Sequence, residues 1–146
     1  MDSAYYAELN RDLAGPLYSR STQERTAPGS TFKPISAVAG LEEGVIRSTD
    51  IIHATGVFTE AYGSPTCWIY NQYHGSHGNI NMVDAIRVSC NYYFYEVGVR
   101  TGSEQLEATA EKFGLGQQTG IGLSGEASGM MDGQKTATRL VNQRVA

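Results

Sequence analysis

The sequence is poor in several features that would open whole classes of function. Only two of its 146 residues are cysteine, Cys67 and Cys90, too few for a disulfide scaffold and at a spacing that fits no zinc module. Charged residues make up 18% of the chain, below the usual quarter. Eleven Lys and Arg against fifteen Asp and Glu leave a net charge of −4 with no basic run, so neither nucleic acid nor an anionic membrane is expected as a partner. Apolar stretches are a handful of residues long, and none reads as a bilayer span or a secretory signal; the chain as written is expected to be soluble. Internal repeats and low-complexity linkers are also missing. The length suits one hydrophobic core and is short for two, so residues 1–146 read as one unit.

What is plentiful is glycine, with 17 residues, and tyrosine, with nine, which points to many tight turns. A short helix is expected over Asp2–Leu9, ended by Asn10 and Gly15-Pro16. Leu17 to Gly29 is polar and aperiodic, closing on the turn signal Pro28-Gly29. From Ser30 to Glu43 the apolar residues Phe32, Ile35, Val38, Ala39 and Leu41 spread around a helix, expected to be mostly buried, with Gly44 as its stop. Pro34 fits the first turn of that helix, where its missing amide costs nothing.

Between Val45 and Gly78 the pieces Ile51-Ile52, Val57-Phe58 and Cys67-Trp68-Ile69-Tyr70 suggest small strands or an ordered loop. Helices are then expected over Ile80–Val88 with Asn79 as cap, over Tyr92–Val99, and from the cap Ser103 to Gly114. A Gly-rich stretch follows to Gly129, and the remainder is polar.

A zinc site can be assembled on paper from Cys67, His74 and His77, since thiolate and imidazole are zinc's usual ligands. No fourth ligand and no CxxC or HxxxH spacing accompanies them, so no metal is expected, and a buried thiol beside two loop imidazoles is the simpler reading. Gly120-Ile121-Gly122-Leu123-Ser124-Gly125 satisfies G-x-G-x-x-G, but no apolar strand precedes it and no helix pattern follows, as a nucleotide site requires. Trp68, Ile69 and Tyr70, and the cluster Tyr92–Tyr95, read as packing residues, with one tyrosine hydroxyl available to line a cleft.

Chemistry is carried by Ser30-Thr31-Phe32-Lys33. Three residues are nearly one helical turn, so hydroxyl and amine lie on one side and can approach hydrogen-bond distance, a nucleophile beside its base. Positive potential at a helix N-terminus stabilises an alkoxide-like oxygen and disfavours the ammonium, and apolar surroundings press the lysine further toward the neutral amine. A capping serine with a snorkelling lysine would give the same four letters, but the enforced turn before Ser30 and the apolar helix after it bury Lys33. Ser89-Cys90-Asn91, between two helical segments, offers a hydroxyl to relay a proton and an amide to hold a peptide group. Read by itself, it is equally a helix cap.

Together these motifs belong to a known set: S-x-x-K and S-x-N are two of the three motifs of penicillin-binding proteins and serine β-lactamases. The run Ala27-Pro28-Gly29-Ser30-Thr31-Phe32-Lys33-Pro34 resembles the active-site serine segment of penicillin-binding protein transpeptidase domains. So does Ser89-Cys90-Asn91-Tyr92-Tyr93-Phe94-Tyr95, and so does the stretch from Lys112-Phe113-Gly114-Leu115-Gly116 through Thr119-Gly120-Ile121 to Gly125-Glu126-Ala127-Ser128-Gly129, typical of class B members. The resemblance implies a peptidoglycan cross-linking serine D,D-transpeptidase that forms an acyl-enzyme and is acylated by β-lactams. Ser30 is then the nucleophile, Lys33 its general base, Ser89 the relay to the leaving amine, and Asn91 a substrate-binding amide. It implies a stem peptide ending in D-Ala-D-Ala as substrate, β-lactam antibiotics as ligands, no metal or organic cofactor, and a membrane-anchored parent working on the extracytoplasmic face of the bacterial membrane, where Cys67 and Cys90 could pair.

The third motif is the departure. The nearest candidate for the K-T-G strand is Lys135-Thr136-Ala137-Thr138, with Ala where the family has Gly and no apolar strand pattern around it. The N-terminal strands of the family are not recognisable either. The fold implied is therefore α+β, mainly the helical part of a penicillin-binding transpeptidase or serine β-lactamase-like domain, a partial domain with most of the antiparallel sheet missing. The chain alone is expected to be impaired. The alternative is a non-catalytic binding or structural domain that keeps this fold.

Overall fold

The computed structural model describes residues 2–61 and 63–131. Seven α-helices and one two-stranded sheet make up the described residues: α1 Ser3–Arg11, α2 Arg20–Gln23, α3 Lys33–Glu42, β1 Ile52–Ala54, α4 Trp68–Tyr73, β2 Gly78–Ile80, α5 Met82–Arg87, α6 Asn91–Thr101 and α7 Ser103–Lys112. The α+β reading holds, with helices dominant and little sheet. No helix among the described residues is long and apolar enough to cross a membrane.

The core forms where α3 packs against α6 and α7. Gly40 permits the close approach, since a β-carbon added there would meet Val97 Cγ1 at 3.0 Å and Ile46 Cγ2 at 3.1 Å. Around this contact Ala37, Ile46, Met82, Ala85, Tyr93, Phe94 and Val97 are buried together with both cysteines. The aromatic run that opens α6 folds as helix because tertiary packing overrides its strand-like composition: Tyr93 and Phe94 turn into the core, and Tyr92 packs edge-on against buried Phe58 at 5.3 Å.

Strands β1 and β2 pair antiparallel with Ile52 opposite Ile80 and Ala54 opposite Gly78. Alternation puts Ile52 and Ala54 inside and leaves His53 outside, where its Nδ1 meets Asn79 Oδ1 at 2.8 Å. This pairing corrects the expected helix start. Ile80 closes a strand, and α5 begins two residues later, with Asn81 rather than Asn79 accepting from the Asp84 amide.

Other boundaries differ in the same local way. The expected Ser30–Glu43 helix is a 3-10 turn over Gly29–Phe32 running into α3, and Leu41 is exposed. Ser103 is the first residue of α7, not its cap. Cys67-Trp68-Ile69-Tyr70, read as strand or loop, opens helix α4 with Cys67 at its cap position. The first helix has its Asp2 cap, extends to Arg11 and buries no residue.

Candidate active site

Ser30 stands on a turn that the sequence makes sharp. Gly29 has φ +58°, the left-handed region that glycine adopts without cost, and Thr31 Oγ1 donates back to the Pro28 carbonyl at 2.7 Å. Ser30 is exposed on this turn, and Lys33, at the start of α3, is half-buried.

The second motif ends α5. The Ser89 amide donates to the Ile86 carbonyl (3.1 Å) and the Cys90 amide to the Ala85 carbonyl (2.8 Å), the Schellman pattern of a helix C-terminus. That pattern asks for a left-handed residue, usually glycine, just after the cap. Ser89 occupies the position with φ +53°. A side chain is thereby mounted where a helix end of this kind usually carries glycine. Its hydroxyl donates to Ser30 Oγ at 3.0 Å.

Lys33 joins the two motifs. Its Nζ donates to the Ser89 carbonyl at 2.8 Å, the Ser89 hydroxyl at 2.9 Å and Asn91 Oδ1 at 2.6 Å. Those contacts use all three N–H bonds of an ammonium. No hydrogen bond joins Lys33 to Ser30 directly, so the expected serine–lysine contact runs through Ser89. The structure brings Ser30, Lys33, Ser89 and Asn91 into one hydrogen-bonded chain. Lys33 does not snorkel outward. The cap reading fails for Ser30, since α3 has no side-chain cap hydrogen bond, and holds for the second motif, where Cys90 Sγ accepts from the Tyr93 amide as the cap of α6.

Burial lowers the Lys33 pKa from that of an ordinary lysine, opposed in part by the neighbouring Cys67 and Cys90 sulfurs. Its Nζ also lies 5.8 Å from the centre of the Phe94 ring. Behind the lysine, burial pushes the Cys90 thiol up to about 11 and lowers His77, the latter helped by the charge of Lys33.

Cys67, His77 and Cys90 bring their ligand atoms within 4.8 Å of one another, with Cys67 Sγ and His77 Nδ1 at 3.6 Å. This is a zinc-type donor set of three. It differs from the paper triad: His74 packs on Tyr70 at the other end of α4, and Cys90 takes its place. Both cysteines are free thiols. Sequence reasoning missed the residues that grip the Ser89 turn, Trp68 Nε1 on the Val88 carbonyl at 3.0 Å and Cys67 Sγ on the Asn91 amide at 3.2 Å. No sequence pattern marks contacts of that range. Lys135, Thr136 and Ala137 lie outside the described residues.

The family model for the penicillin binding protein transpeptidase domain matches residues 2–144. The chain belongs to the penicillin-binding protein transpeptidase family. It is 34% identical to the peptidoglycan D,D-transpeptidase MrdA of Acinetobacter baumannii over 125 residues, 86% of this chain and 18% of that protein. It is 37% identical to the stage V sporulation protein D of Bacillus subtilis over 123 residues, 84% of this chain and 17% of that protein. The solved structure of Pseudomonas aeruginosa PBP2 in complex with WCK 5153 superposes with a TM-score of 0.86 at 30% identity, covering 98% of this chain and 32% of that one. Penicillin-binding protein A of M. tuberculosis, solved as a penicillin G acyl-enzyme complex, gives a TM-score of 0.67 at 28% identity, over 86% of this chain and 29% of that one. The chain thus spans about a fifth of the length of the curated relatives it matches. Within this transpeptidase family, the serine and S-x-N segments are the parts on which the four polar residues converge.

Proposed function

We propose that the full-length protein carrying this chain is a peptidoglycan cross-linking serine D,D-transpeptidase, with Ser30 as nucleophile. The observation that carries the reading is the chain Ser30–Ser89–Lys33–Asn91. A neutral lysine has two N–H bonds and one lone pair. The Ser89 carbonyl and Asn91 Oδ1 can only accept, so the lone pair must face the Ser89 hydroxyl, the one partner able to donate. Reversing that bond leaves Ser89 Oγ free to accept from Ser30. A proton can then pass from Ser30 through Ser89 to Lys33 as Ser30 Oγ attacks the penultimate D-alanine carbonyl of a stem peptide.

Collapse of the tetrahedral intermediate forms the Ser30 ester and releases D-alanine, whose nitrogen takes the proton back along the same path. A second stem-peptide amine attacks the ester and regenerates Ser30. Asn91, its oxygen held by Lys33, turns its NH2 toward the substrate amide. A β-lactam follows the first half of this course, and its ring nitrogen stays attached to the acyl group. The protein would work outside the cytoplasm, on the membrane face where peptidoglycan is built, anchored by a segment other than the described one.

The test is release of D-alanine and formation of cross-linked product when the full-length protein is incubated with a pentapeptide substrate and an acceptor amine. Both are expected, and both are lost in Ser30→Ala. Neither product at any concentration would favour a non-catalytic domain of the same fold. The 146-residue chain alone is expected to acylate about 100- to 1,000-fold more slowly if the donor from the third motif is not in place, the usual worth of one oxyanion donor. Fluorescent penicillin labelling followed by intact mass measures this.

A further inference from the structure

Ser89 carries out its part only if its hydroxyl stays between Lys33 and Ser30, and its conformation is one that a residue with a β-carbon does not prefer. The two Schellman bonds hold the left-handed φ of +53° from the α5 side, and what remains to be fixed is the carbonyl just before it. Val88, just before it, is the C-cap of α5, and its carbonyl lies beyond the reach of any intrahelical amide. The group that satisfies this carbonyl is the indole N–H of Trp68, at 3.0 Å. Trp68 is itself fixed. It opens α4, its ring packs at 5.6 Å on His77, and its neighbour Cys67 holds the far end of the same turn through the Asn91 amide at 3.2 Å. Residues 67 and 68 therefore grip the Ser89 turn at both ends.

We propose that Trp68 is a positioning residue for Ser89: its N–H, by holding the Val88 carbonyl, keeps Ser89 in the left-handed conformation that aims its hydroxyl at Ser30. Trp68 shares no hydrogen bond with Ser30 or Lys33 and acts through the backbone on each side of Val88. The inference rests on the transpeptidase reading for its kinetic consequence, though not for its geometric one. Loss of the N–H frees the carbonyl to turn toward water, and the turn can relax to the ordinary right-handed end of a helix. The donor chain between Ser30 and Lys33 is then broken in most molecules. Substrate contacts stay in place, so the loss falls on the acylation step and not on the preceding binding step.

The experiment uses the full-length protein in three forms: unmodified, Trp68→Phe, and with residue 68 replaced by β-(3-benzothienyl)alanine, which keeps the bicyclic ring and replaces N–H by sulfur. Stopped-flow acylation by penicillin is expected to show a rate constant about ten- to a hundredfold lower in both variants, with the dissociation constant of the initial complex within twofold. In a Ser89→Ala background, Trp68→Phe is expected to cost nothing further in rate, which a purely structural role would not produce. A benzothienyl variant with the unmodified rate, or additive losses in the double variant, overturns the proposal. Crystal structures of the same variants decide the geometric part independently. Ser89 leaving the left-handed region supports it; Ser89 unchanged, with its hydroxyl still on Ser30, overturns it. Failure of the unmodified protein to acylate at Ser30 sinks the transpeptidase reading instead, and the crystal structures still settle the clamp.

Discussion

The hydroxyl of Ser89 lies 3.0 Å from that of Ser30, although 59 residues separate them in the chain. Ser30 stands in the 3-10 turn that follows Gly29 at φ +58°, and Ser89 itself takes φ +53°, so a left-handed residue sets the direction of each hydroxyl. Lys33 lies behind the pair and reaches Ser30 only through Ser89.

Substituting Ser89 by glycine separates stability from chemistry. The variant removes left-handed strain and also removes the hydroxyl's hydrogen bonds, effects of about 1 kcal/mol each and opposite in sign. The unfolding free energy is expected to stay within about 1 kcal/mol of the parent, measured by urea denaturation. The acylation rate is expected to fall about 100- to 10,000-fold, the usual worth of a positioned proton-transfer group.

The lowered pKa of Lys33 sets a pH dependence. With Lys33 as the proposed base the neutral amine is the active form, so acylation is expected to rise with pH with a midpoint below the ordinary lysine value of 10.5. A stopped-flow profile of acylation against pH measures it. In Lys33→Arg the cation does not deprotonate in the accessible range, and the rising limb is expected to vanish along with the activity.

Asn91 offers the complementary change of sign. Its Oδ1 accepts from Lys33 at 2.6 Å, so Asn91→Asp places a negative charge against the ammonium and favours the charged form. The rising limb in this variant is expected to move about 1–3 units to higher pH. An unmoved limb would mean that the titrating group is not Lys33.

Gly40 tests the packing that carries the serine helix. With Val97 and Ile46 already at 3.0 and 3.1 Å from where a β-carbon would stand, Gly40→Val overpacks the contact between α3 and α6. A loss of about 1–3 kcal/mol is expected in urea denaturation. Gly44→Ala is the converse case, with φ +65° and nothing within 4 Å of the added β-carbon, and is expected to cost about 1–2 kcal/mol from left-handed backbone alone.

The serine motif was legible because its determinants are local: Pro28-Gly29 forces the turn, and the apolar helix follows at once. Ser89 and Asn91 could be singled out by their motif, but their geometry could not be read, since nothing in the letters says that a serine takes the left-handed place of a glycine. The path from Ser30 to Lys33 through Ser89 spans 59 residues and belongs to packing, not to spacing. Trp68 was read as packing because its N–H finds a carbonyl 20 residues away. The start of α5 was misplaced because Ile80, apolar at a helical spacing, is claimed by its strand partner Ile52. His74 entered the paper metal triad on sequence proximity to Cys67, whereas Cys90, on a different helix boundary, is the residue that folds against it.

The most direct measurement is peptide mass mapping of the full-length protein after reaction with a β-lactam. One covalent adduct is expected, on the peptide containing Ser30, absent from Ser30→Ala and sharply slowed in Ser89→Gly. An adduct on any other residue, or one of undiminished yield in Ser30→Ala, would contradict the account.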